Sequence, residues 1–146
     1  MDEIAVLSAR VRAAAGLPEL LDAGFDAFEA IRAAARACED RTTELFAAFM
    51  MAAGTATEGR NALNAAPSLQ PGTSAPNRNP PVSAAADVYG ISDELADLAG
   101  LLARRLPQAA ATATRSGDRA ACDDAAYAAA EIHRLLAGDS DETGPW

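Results

Sequence analysis

The sequence predicts an all-α protein: an antiparallel helical bundle built on one long, coiled-coil-like helix and closed by a proline-rich connecting loop. Three observations carry that expectation. Alanine, the strongest helix former, occupies 39 of the 146 positions. Apolar residues recur at alternating steps of four and three from Leu17 to Leu63. No stretch shows the Val-, Ile- and Thr-rich alternation of a strand.

The first helix is expected over about 2–15, with Ile4, Leu7, Val11 and Ala14 on one stripe. Gly16-Leu17-Pro18 breaks it, and Pro18 suits the first turn of the next helix. That helix is read over 18–64. Its seam runs Leu17, Leu21, Gly24, Phe28, Ile31, Ala35, Cys38, Thr42, Leu45, Phe49, Ala52, Ala56, Gly59 and Leu63. Unbroken, it would be roughly 70 Å long. Asp40 and Thr42 are placed to cap a new helix, and Gly54 and Gly59 weaken the second half.

Residues 66–82 hold five of the eight prolines and read as a linker that carries the chain back. A short helix is expected from Ser83 to Tyr89, ended by Gly90. Ser92, followed by Asp93 and Glu94, then reads as the N-cap of a helix reaching about residue 116, with Leu95, Leu98 and Leu102 facing inward and a kink at Pro107. A last helix over about 118–137 buries Ala121, Ala125, Ala128, Ile132 and Leu135. These elements make one helical domain, 1–137, followed by an acidic tail, 138–146, expected to be disordered.

The formal charge is −9. Residues 1–65 set ten acids against six Arg, and residues 83–146 set eleven against five. No segment is basic enough to neutralise phosphates, so nucleic acid is not an expected partner. All twelve basic residues are Arg. With the abundant alanine, that matches the codon bias of a high-GC bacterial genome. The absence of lysine removes Schiff-base and P-loop chemistry. The start of the chain lacks a signal-peptide profile, and the longest uncharged apolar run, Leu45–Thr57, is too short to span a bilayer. A cytoplasmic protein with reduced thiols and no membrane insertion is expected.

Little in the sequence carries chemistry. His133 is the single histidine, and Glu131 lies two positions away rather than the three that one helix face requires. No metal site, cofactor or catalytic residue is therefore assigned, and His133 is expected to border the core with one hydrogen bond. Cys38 lies on the long seam and Cys122 beside the apolar face of the last helix. Both read as packing residues, or as a redox pair if their helices adjoin. The carboxylate neighbours Glu39-Asp40 and Asp123-Asp124 splay apart on a helix and read as solvated faces.

The segment around Phe46, Phe49, Met50 and Met51 departs from simple amphipathy, because Met51 falls about 200° from Phe49 on the polar side. Two readings follow: a helix buried on more than one side, or a surface for a partner or a second copy. Leu, Ile, Val and Phe together are scarce, which predicts a thin core of the kind a dimer completes.

Tyr89-Gly-Ile-Ser-Asp93 and Tyr127-Ala-Ala-Ala-Glu131 match a Tyr-x-x-x-Asp/Glu pattern. They resemble the export signal of small type VII-secreted helical-hairpin proteins, which are likewise acidic, alanine-rich and lysine-poor. That resemblance implies an exported helical hairpin. The family's Trp-x-Gly turn is missing, and the proline-rich stretch stands where its tight turn would be. The main expectation is a non-catalytic helical interaction protein, an adaptor, regulator or self-associating scaffold, with a dimer favoured. The alternatives are this secretion-type hairpin and a small-ligand or enzymatic bundle with a pocket near Phe46, Met50 and Leu98.

Overall fold

The computed structural model describes residues 3–69 and 87–137. They form five helices and, among the described residues, no strand: α1 (Glu3–Ala13), α2 (Leu17–Cys38), α3 (Thr43–Asn64), α4 (Val88–Thr112) and α5 (Ser116–Ala137). Helix α2 packs on α3, α3 on α5, α5 on α4 and α4 on α2, so four helices close a ring of antiparallel neighbours. Helix α1 lies against α2 and α4, where it widens the core with Ile4, Leu7 and Val11.

The expected helix 18–64 is two helices. Helix α2 stops at Cys38, and Thr42 adopts an extended conformation whose hydroxyl accepts the Glu44 N–H, capping α3. The chain folds back there, so the two halves of the seam face one another. Gly24 meets Leu63 and Gly59 meets Phe28. The cap wins because Thr42 satisfies one orphan donor, while the return stroke buries Phe28, Ile31, Phe49 and Leu63 completely.

Helix α4 begins earlier than the sequence suggested. Asp87 is its N-cap, accepting the Tyr89 N–H at 3.1 Å, and Gly90 is helical. Ser92 is no cap; it is buried and its hydroxyl donates to the Leu136 carbonyl at 3.0 Å. Val88, Leu95, Leu98 and Leu102 all face the core, and that extra apolar turn favours the earlier start. Pro107 lies within α4, one turn before its end. Helix α5 likewise starts at Ser116, leaving Asp118 inside the first turn. Residues 66–69 belong to the packed structure, whereas 70–82 of the expected linker and the tail 138–146 lie outside the described residues.

Two polar clamps hold the ends. Arg105 of α4 donates to the carbonyls of Val11, Arg12 and Ala14, each at 2.8 Å, and so closes the C-terminus of α1. Asp118 accepts the Ser68 N–H at 2.9 Å and its hydroxyl at 2.6 Å, tying the exit of α3 to the start of α5. Between α2 and α3, Glu29 accepts Arg60 at 2.6 Å and Arg32 at 3.0 Å. Burial by itself would raise the Glu29 pKa, but the hydrogen bonds from Arg60 and Arg32, and the charges of both, outweigh it and hold the carboxyl below its ordinary 4.5. A carboxyl depressed in the folded state contributes stability above its unfolded value and loses it as pH falls through the folded one. Glu29→Gln is therefore expected to flatten the acid limb of stability below pH 4.5. Urea midpoints measured from neutral pH down to about pH 3 check this, and parallel limbs for the two proteins would contradict it.

Candidate interaction surface on α3

Helix α3 is covered on two sides, by α2 and α5, and its third side is open. Phe49, Ala52, Ala53, Ala56, Gly59 and Leu63 turn inward. The outward side carries Phe46, Met50 and Met51, which are 40%, 48% and 51% exposed. Ala47 and Gly54 share that side. From Leu45 to Thr57 there is no charged residue. A surface helix normally places its charges on this face, so an uncharged strip with three large apolar side chains is an inversion of the usual pattern.

Phe49 does not belong to this surface. It lies on the seam and is wholly buried. Phe46 and Met50 each follow a seam position, Leu45 and Phe49, by one residue, and so stand together on one flank of the inward row, outside what α2 and α5 cover. Helix α3 is thus buried on two sides within the monomer, while the outer face that carries Met51 is exposed. Tyr89 of α4 stands beside the N-terminal end of the strip, where its hydroxyl donates to Glu44.

The other sequence candidates are separated. Cys38 ends α2 where the chain turns into α3. Cys122 lies one turn from Asp118, at the opposite end where Ser68 is held. Along α2, Cys38 is roughly 20 Å beyond Gly24, which packs on Leu63 near that opposite end. The two thiols are therefore no redox pair; both are buried and free. Burial pushes the Cys38 thiol up despite Arg41 nearby. Burial, then the charges of Asp118 and Asp123, push Cys122 up to about 11. At about pH 8 neither thiol of the folded protein is expected to react with iodoacetamide, and both should react once it is unfolded. Mass spectrometry reads the result; rapid labelling of either thiol in the native state would overturn it.

His133 is exposed, and makes the one hydrogen bond expected of it. Its Nδ1 lies 2.9 Å from the Ala96 carbonyl, so Nδ1 carries the proton, and the ring rests on Gly100, where a Cβ would come within 3.1 Å of it. Phe46 and Met50 face out while Leu98 is fully buried, so the three do not share a surface. An open cleft of about 180 Å³ lies instead where α1, α2 and α4 meet, lined by Gly16, Leu20, Arg105 and Thr112. That is small beside ligand sites of about 300–1,000 Å³, and its guanidinium is committed to carbonyls of α1. Among the described residues no His, Cys, Asp and Glu side chains group to hold a metal ion, and no helix is long and apolar enough to cross a membrane. Tyr127 is 81% exposed, and Glu131 one turn on is paired with Arg134.

No protein-family model, curated protein or solved structure matches this chain.

Proposed function

We propose that this protein is a non-catalytic helical interaction module, an adaptor, regulator or self-associating scaffold, that engages protein through the outer face of α3. The observation that carries the reading is the exposure of Phe46, Met50 and Met51 on a charge-free strip of a chain with net charge −9. Exposed apolar patches on small soluble domains mark partner surfaces, and methionine adapts its shape to what it meets. Two further features support a non-catalytic role. The thiols are buried with raised pKa values, and the imidazole Nδ1 is committed to a main-chain carbonyl. The acidic composition supports a protein partner over nucleic acid, and a cytoplasmic location is part of the same proposal.

Photo-crosslinking tests it. Benzoylphenylalanine placed at Met51 and irradiated in the source cells is expected to give adducts with protein. The same group at Asp97, exposed on α4, is expected to give none. Absence of any protein adduct at Met51 would end the reading.

A further inference from the structure

Resting on that docking reading, we infer that the occupant is a second copy of this chain, paired antiparallel along α3 about a two-fold axis between Met50 and Met51. The outward positions of α3 are self-complementary about that point. Reversing the helix on itself sets Ala47 against the partner's Gly54 and Met50 against the partner's Met51. It sets Thr43 against the partner's Glu58 and Glu44 against the partner's Thr57, so no like charges oppose at either end. A parallel pairing would instead stack Glu44 on Glu44 and Glu58 on Glu58. Self-matching of this kind is what an isologous interface requires.

Charge favours the same face. The outward sides of α4 and α5 carry Asp93, Asp97, Asp123 and Asp124 together with Arg104, Arg119 and Arg134, all exposed, so copies meeting there would have to desolvate charged side chains. The strip from Leu45 to Thr57 offers none. Steric room agrees. A Cβ built on Gly54 meets nothing within 4 Å, and Ala47 is exposed, so two α3 backbones can approach to about 8 Å with the methionines filling the flanks. One helix face is at the small end of specific interfaces, so association in the range of about 1–100 μM is expected.

Sedimentation equilibrium of the full chain from about 1 to 500 μM reads this directly. The mass is expected to rise from 15.0 kDa toward twice that value. Met51→Glu should weaken association at least about tenfold, by placing carboxylates beside the axis. Gly54→Arg, which meets nothing in its own chain, should fold with a thermal midpoint no lower than that of the wild type and yet sediment as a monomer. Register is read by oxidising an equimolar mixture of Ala47→Cys and Gly54→Cys proteins, in which the mixed disulfide should dominate. A monomer at every concentration, or preferential 47–47 and 54–54 disulfides, would overturn the inference. These failures are distinct from failure of the docking reading. Adducts at Met51 with another protein, and none with this chain, would remove the second copy alone; no adduct would remove both.

Discussion

Gly59→Val is expected to cost about 3 kcal/mol of stability, and Gly59→Ala about 1–2 kcal/mol, although both residues are better helix formers than glycine. A Cβ at Gly59 would stand 2.5, 2.6 and 2.8 Å from Cε1, Cζ and Cδ1 of Phe28. The Phe28 ring is wholly buried, packed in the ring of four helices, so it has nowhere to retreat without moving α2 from α3. Helix propensity returns about 1 kcal/mol for alanine, which the clash exceeds. Gly54, five positions earlier on the same helix, supplies the internal control. It faces open space, so Gly54→Ala should raise stability by about 0.5–1 kcal/mol. Urea unfolding of the three variants gives opposite signs at the two glycines. Pairing Gly59→Ala with Phe28→Leu should recover part of the loss. Equal stabilisation at both positions would show that Phe28 moves freely and that the α2–α3 contact is not close-packed.

The glycine pair also shows what the sequence could and could not say. The seam from Leu17 to Leu63 holds the large buried residues of α2 and α3 except Leu20, and misses the buried alanines Ala23, Ala27, Ala30, Ala34 and Ala53 beside it. It does not reveal the fold-back, because the turn from Glu39 to Thr42 keeps the two halves in helical phase. A continuous helix and a hairpin then bury the same positions, against a second chain in one case and against each other in the other. The deciding signal is local, the Thr42 cap, and a cap weighs about 1 kcal/mol beside a seam of a dozen apolar residues. Ser92 misled for the opposite reason. It has the form of a cap, but the apolar pattern of Val88 and Ile91 runs through it, and tertiary packing gave its hydroxyl a carbonyl of α5.

The candidate surface was half legible. The wheel position of Met51 placed it outward, and it is outward. Phe46 and Met50 were grouped with Phe49 by their proximity in sequence, whereas one helical step of about 100° separates a core residue from an exposed one. Whether flanking positions are covered depends on where neighbouring helices lie, and no periodicity encodes that. The thin core read from composition did form. Alanine lets the helices approach closely enough that few large side chains fill the interior, with Phe28 and Phe49 its largest fully buried members.

Asp118→Ala is the second large loss, expected at about 2–4 kcal/mol. The carboxylate is 1% exposed and serves two purposes at once. It stands in the first turn of α5, where negative charge is favoured, and it accepts both the N–H and the hydroxyl of Ser68 across the bundle end. Alanine there leaves the Ser68 N–H without its partner, beside Gly117, where even an added Cβ would stand 2.9 Å from the Pro67 ring. Ser68→Ala removes the hydroxyl alone and should cost about 1 kcal/mol. A double-mutant cycle should therefore show coupling of about 1 kcal/mol between the two positions. Asp118→Asn separates charge from hydrogen bonding. Its amide oxygen can still accept the N–H while its NH₂ donates to the serine oxygen, so it should retain about half of the lost stability. Additive losses at Asp118 and Ser68 would mean that the clamp holds nothing together, and that the end of α3 is secured by Leu63 and Ala66 in the core instead.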